Sequence, residues 1–192
     1  MAEKENKIEF GVENLHLAIL KDEKTYEIPE HILGTVNIKL NAKGELKTIY
    51  ADNGVYFSLA SNNGYEGELQ IYNFTDEFKE KYFGFIKDGN GVLVEPSVLN
   101  PKPVAMAFKI LGDEKDRASV LYNCTFEKPD FEWKTLEDKL DVQVMKIKFK
   151  ATPKAFENFD KKVVQSSTTN EELKKTWFTK VYIPSKEKTI SV

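Results

Sequence analysis

The chain's whole stock of imidazole and thiol is His16, His31 and Cys124, so acid–base, nucleophilic and metal chemistry is sought there first. Cys124 stands in an apolar run between Asn123 and Thr125, with no histidine near it in sequence. That setting predicts a buried structural thiol and not a nucleophile. His16 alternates away from the stripe Leu15, Leu17, Ile19, and His31 follows Pro29-Glu30 in an expected loop. A metal shared by the two would need further ligands, and nothing marks them. Asp113, Glu114 and Asp116 form an acidic turn with the ligand type of a calcium loop. Their spacing is not that of an EF-hand, and a solvated hairpin tip is the plainer expectation. Gly89-Asn90-Gly91 is a two-glycine turn, and the chain carries no P-loop, GxGxxG, GxSxG or HExxH. The sequons at Asn73 and Asn123 matter only in a secreted chain. The expectation is therefore a protein that is not an enzyme, with no catalytic, cofactor-binding or metal-binding residues and no cofactor.

The elements that would carry any site belong to one domain. The chain has 192 residues, 41% hydrophobic and 31% charged, enough to bury one core. No apolar run approaches the ~20 residues that span a bilayer, so no membrane insertion is expected. The start, MAEKENKIEF, lacks the apolar stretch of a Sec signal. A lone cysteine forms no internal disulfide, which fits a reducing compartment or a particle assembled in one.

Charge is unevenly divided. Residues 1–96 hold 10 Lys against 17 Asp and Glu, whereas residues 97–192 hold 18 Lys and Arg against 14 Asp and Glu. Copies meeting head to tail would pair such patches. Alternatively, the two halves interleave in one fold and their charges mix. The only arginine is Arg117. Base and phosphate readers favour arginine's planar fork, so a sequence-reading nucleic-acid groove is not expected. The 13 Phe and 8 Tyr read as core and interface filling in preference to base stacking, because most share strand faces with aliphatics.

Period-two alternation dominates. It marks strands at Leu15–Ile19, Val36–Leu40, Val55–Leu59 and Leu69–Ile71, each with one buried face. Asn53-Gly54, Asn62-Asn63-Gly64 and Asp88-Gly89-Asn90-Gly91 supply the turns between them. VAMAFKIL (104–111) and ASVLYNCTF (118–126) read as a hairpin across Gly112–Arg117, and residues 139–151 as a long strand. In that strand the apolar phase changes between Val144 and Met145, as a β-bulge would produce. Lys146, Lys148 and Lys150 should share a wet face. Thr75 followed by Asp76 and Glu77, with Phe78 and Tyr82 four apart, predicts a short amphipathic helix over 75–83 ending near Gly84. Thr168 or Thr169, with Glu171 or Glu172, predicts a second short helix at about 169–175. Trp177–Ile183 reads as a return to strand. The sum is a mainly β fold, an antiparallel β-sandwich or barrel with one flanking α-helix, a second short helix, and extended loops and arms.

Residues 50–72 read YADNGVYFSLASNNGYEGELQIY, and NGVLVEP (90–96), PVAMAFKILGDEKDRASVLYNCTFEKP (103–129) and KTLED (134–138) follow. With FGVENLHLAIL near the start and GTVNIKL after Pro29, this ordered series resembles the major tail protein, or tail tube protein, of long non-contractile-tailed phages and prophages of Gram-positive bacteria. The resemblance covers about residues 7–150. It implies a β-sandwich with a flanking helix where 75–83 was placed, and subunits that form rings, usually hexameric. The rings stack into a hollow tube around a tape-measure protein, meet distal tail and tail-terminator proteins, and pass double-stranded DNA during ejection. It also implies a place in the virion after assembly in the host bacterial cytoplasm, and it carries over no catalytic residue.

The residues agree with that picture in physical terms. A ring needs a closing heterologous interface and a stack needs a second one. Strands shared between subunits would remove open sheet edges. A DNA conduit must not hold phosphates, and a chain with formal net charge −3 can line its lumen with Asp and Glu. The organisation expected is a single domain over 1–192, with an N-terminal arm at 1–10, an extended hairpin at 41–65 that reaches the next ring, and a C-terminal arm at 184–192. The rival class is a soluble β-sandwich ligand- or protein-binding module, with Trp133 and Trp177 as its natural anchors.

Overall fold

The computed structural model describes residues 11–131 and 144–186. The N-terminal arm at 1–10, Trp133, KTLED, residues 139–143 of the long strand and the arm beyond Lys186 lie outside the described residues. Along the chain come β1 (Val12–Ile19), β2 (Glu30–His31), β3 (Thr35–Lys43), β4 (Leu46–Ala51), β5 (Gly54–Ala60), β6 (Gly64–Ile71) and α1 (Asp76–Phe78). Then follow β7 (Ile86–Lys87), β8 (Leu93–Val94), β9 (Val104–Ile110), β10 (Ala118–Phe126), β11 (Met145–Ala151), β12 (Lys154–Phe156), β13 (Phe159–Val163), β14 (Gln165–Thr168) and α2 (Glu171–Trp177).

The fold is mainly β, as the alternation predicted. Eight strands make one antiparallel sheet in the order β2-β1-β9-β10-β11-β6-β3, with β14 also on β10. The pairs β4–β5, β7–β8 and β12–β13 stand as separate two-stranded sheets. The sheet curls, so that inner residues of β1 and β9 (Leu17, Met106) share a core with those of β6 and β11 (Leu69, Ile147, Phe149). The barrel alternative is not realised: among the described strands β3 pairs only with β6, and no pairing closes the seam between β3 and β1.

One strand serves two neighbours. Along Ala118–Leu121, β10 lies between β9 and β14; from Cys124 to Phe126 its outer partner is β11. The switch falls at Asn123, whose φ of 49° is left-handed, a conformation that asparagine tolerates better than most residues. Cys124 is fully buried there, and burial pushes its thiol well above the ordinary value, as expected of a structural thiol.

The first helix starts at the expected cap: the Thr75 hydroxyl accepts from the Phe78 amide at 3.2 Å. It is not one regular helix, however. Asp76–Phe78 is α-helical and Lys79–Phe83 winds as a π turn. That turn ends at Gly84, with φ 80°, the left-handed position glycine fills without steric cost. The wider winding buries Tyr82 and Phe83 together with Phe78, where an α-helix would carry the ring at 83 further round. These rings plug one end of the curled sheet, Phe78 lying 4.6 Å from Tyr82 and 5.4 Å from Phe83 between centroids.

The second helix corrects three expectations. Its cap is Asn170, whose side chain accepts from the amides of Glu172 and Leu173, whereas the Thr168 hydroxyl serves the Asn170 amide. It runs to Trp177, and the chain after it is irregular through Ser185, not a strand. Trp177 and Val181 are spaced by four and both are buried, so tertiary packing overrides the period-two pattern across Trp177–Ile183. They press on the outer face of the sheet, where Ala18, Ala105, Ala107 and Ala118 present only methyl groups. The Trp177 indole N–H donates to the Ser119 carbonyl at 3.3 Å, and the Tyr122 hydroxyl donates to the Tyr182 carbonyl at 2.8 Å.

Candidate functional site: two surfaces

The residues offered for chemistry are placed in ordinary structural roles. His31 is not in a loop but in β2, directly across from His16. The two rings stack at 4.8 Å, and Phe178 closes on His16 at 4.9 Å. His16 Nδ1 donates to the Asn14 carbonyl at 3.0 Å. Burial holds His16 below its ordinary value, and the neighbouring His31 adds to this against the pull of that hydrogen bond. In the acidic turn, the Asp113 carboxylate accepts from the Lys115 and Arg117 amides. Asp116 is bridged by Lys109 and Lys174 at 3.0 and 2.9 Å, and these two lysines hold its carboxyl below the usual range. The turn thus fastens the β9–β10 hairpin to α2. Among the described residues, no group of three or more His, Cys, Asp or Glu is placed to hold a metal. Trp177, a proposed anchor for a ligand, is buried under α2.

Two surfaces remain. The first is the outer face of β11, β6 and β3. In register across it stand Lys148, Glu68 and Lys39, then Lys150, Glu66 and Asn41, then Lys146, Gln70 and Asn37. The expected wet lysine stripe is present, but each lysine faces an acid or an amide. Lys43 bonds Glu66 at 2.8 Å and Lys150 bonds Glu127 at 3.2 Å. The Lys43 contact also holds the Glu66 carboxyl below its ordinary value. Acids of the first half and lysines of the second are interleaved here, so on this face the charge split of the sequence mixes. Beneath it, Gly67 lies opposite Phe149, and a Cβ at 67 would collide with that ring.

The second surface is the hairpin β4–β5. The Ser61 amide donates to the Glu45 carbonyl at 2.8 Å, and the Glu45 amide donates to the Ser61 hydroxyl at 2.9 Å, closing its base. At its tip, Asp52 and Asn53 are both left-handed, with φ 50° and 58°, which suits a tight hairpin turn. Val55, Phe57 and Leu59 do not have the buried face that their alternation predicted; the whole of β5 is exposed. In β4 only Thr48 is partly covered, and its hydroxyl lies 3.3 Å from that of Ser58. A smaller uncovered apolar patch lies at Ile86, Val92, Val94 and Val98, on and beside β7–β8.

A scan against protein-family models finds no match, and no curated protein matches the chain. Among solved structures, the chain is similar to one titled as an extracellular contractile injection system, PVC sheath-tube complex in the extended state. That similarity has 10% identity and a TM-score of 0.44, over 84% of this chain and 93% of that one. It is also similar to the anti-feeding prophage cap, the AFP tube terminating cap, at 9% identity and a TM-score of 0.41, over 88% of this chain and 100% of that one.

Proposed function

We propose that the chain is a structural tail protein whose copies assemble into a tube. The observation that carries this reading is the hairpin β4–β5, a two-stranded element that leaves the core with apolar side chains on both faces. An isolated hairpin is marginal in water, and a contiguous exposed apolar surface marks an interaction site. The residue-level resemblance over about 7–150 supports the finer reading. In it, copies form hexameric rings that stack around a tape-measure protein, the hairpin reaches the next ring, and distal tail and terminator proteins close the ends. The protein then belongs to the virion, is assembled in the bacterial cytoplasm, and has no catalytic activity. On this reading the β11–β6–β3 face suits a conduit for DNA. Lys43 and Lys150 are already bonded to Glu66 and Glu127, and Glu68 stands between Lys39 and Lys148 in register, so the face is no unbroken basic track for phosphates.

The test is negative-stain electron microscopy of the concentrated protein with light scattering on the same sample. The expected result is hollow tubes or rings of uniform width. A second variant replaces Leu46–Ala60 by Asn-Gly between Glu45 and Ser61, which already pair as a hairpin base. It should remain a folded monomer and form no tubes. Tubes of normal length from that variant would remove the hairpin from the assembly.

A further inference from the structure

The register of the hairpin divides its apolar residues into two sets. Ile49 pairs with Phe57, and Lys47 with Leu59, so Ile49, Phe57 and Leu59 share one face. Leu46 pairs with Ala60, and Thr48 with Ser58, on the other face. Past the irregularity after Ile49, Tyr50 pairs with Val55. Because β4 alternates regularly, Tyr50 and Val55 fall on the face of Leu46. Among the paired residues each face therefore carries three large apolar side chains, all six 48 to 71% exposed, and Tyr56, at the irregularity, adds a seventh at 77%. A hairpin lying on a single partner would cover one face and leave the other in water. A sheet that is wet on one side alternates apolar with polar residues, and this hairpin does not.

We propose that each hairpin is clasped between two further copies of this chain, one copy against each face. The proposal rests on the tube reading above and names the partner of that same surface. Area agrees: two strands of this length span roughly 24 Å by 10 Å on each face, so one covered face falls well short of the ~800 Å² that each partner gives to a specific complex, and covering both doubles the hairpin area buried. The hairpin carries one Lys and one Asp, Lys47 and Asp52, from Leu46 to Ala60. A partner recognised by apolar area fits this better than a strongly acidic or basic one. Ile86, Val92 and Val94 offer uncovered aliphatic surface of that kind on every copy.

The experiment uses the full chain, concentrated until it assembles, as an equal mixture of ¹⁴N- and ¹⁵N-labelled protein. In one variant Phe57, and in another Tyr50, is replaced by a benzophenone amino acid. After illumination, cross-linked peptides are identified by mass spectrometry. The expected result is mixed-isotope cross-links from both positions, at comparable yield, to two segments that do not overlap. Cross-links from one position at more than fivefold the yield of the other, or from both to one segment, overturn the clasp and leave self-assembly standing. In parallel, F57K and Y50K should each lower the assembled fraction at least tenfold with an unchanged thermal midpoint of the monomer. Full assembly of either one overturns the clasp. Wild-type protein that scatters as a monomer at every concentration, with no cross-link between isotopes, overturns the tube reading and the clasp with it.

Discussion

Two hairpins of this chain look alike in sequence and differ in fate. VAMAFKI and ASVLYNCTF become β9 and β10, which are buried on both faces: Met106, Phe108 and Leu121 point into the curled core, while Ala107, Val120 and Tyr122 lie under α2 and Phe156. LKTIYA and GVYFSLA become β4 and β5, which the described residues leave open on both faces. Both are rich in apolar residues, and VAMAFKI, ASVLYNCTF and GVYFSLA carry one at every second position or more often. Alternation in a strand reports that a surface is built to be covered. It does not report whether the cover comes from the same chain.

The largest effect that separates the two is truncation of a large side chain. Leu121→Ala should cost about 3 kcal/mol of unfolding free energy. Phe57→Ala should change monomer stability by less than about 0.5 kcal/mol and act on assembly instead. Urea unfolding of the dilute monomer measures both, and equal losses would erase the contrast between the hairpins. Next in size is the reverse change under α2. Ala118→Leu replaces a methyl group in a packed site with four heavy atoms and should cost about 2 kcal/mol. The same change at Ala60, on the hairpin, should be nearly silent.

A smaller effect tests how firmly α2 holds its cover. Asn170→Ala removes the side chain that satisfies the Glu172 and Leu173 amides, and should cost about 1 kcal/mol, read as a lower thermal midpoint. Asn170→Ser should restore most of it. The smallest effect is pH-dependent and belongs to the covered region alone. The folded state binds the His16 proton more weakly than the unfolded chain does, because burial depresses the group from its ordinary value of 6.5. Its contribution is therefore intact above about pH 6.5 and is lost as pH falls from there through the lower folded value. The thermal midpoint should drop between pH 7.5 and 5.5, and His16→Gln should flatten that slope. Glu30, Glu66 and Asp116, all depressed in the folded state, lose their contributions only below the ordinary carboxylate range. An unchanged slope in His16→Gln would remove the histidine from the account.

Most strands could be read in the chain because alternation is local. The cap at Thr75 and the stop at Gly84 were equally local. The π turn between them was hidden, because it takes its winding from the fit of Tyr82 and Phe83 into the core. Trp177–Ile183 misled for a related reason: its residues satisfy both a period of two and a spacing of four, and only the alanine floor of β1, β9 and β10 decides between them. The stacking of His16 on His31 was out of reach, since β2 is two residues long and carries no strand pattern. The tight turn at Asp52 and Asn53 was legible in the Asn53-Gly54 pair, but the exposure of the strands it joins was not. A valine or phenylalanine spells the same letter whether it meets its own core or another molecule.

The pairing of Val12 with Ile110 in β1 and β9 fixes an order of events in time. The central strands cannot meet until more than half of the chain has left the ribosome, and such non-local pairing is slow. The hairpin β4–β5 closes over two residues, Asp52 and Asn53, and forms on a scale of about 1–10 µs once synthesised. Its sticky faces therefore exist before the core does and stay uncovered after it closes. During synthesis this is the stretch most exposed to premature association, and Lys47 and Asp52 are the only charges on it that oppose the attraction.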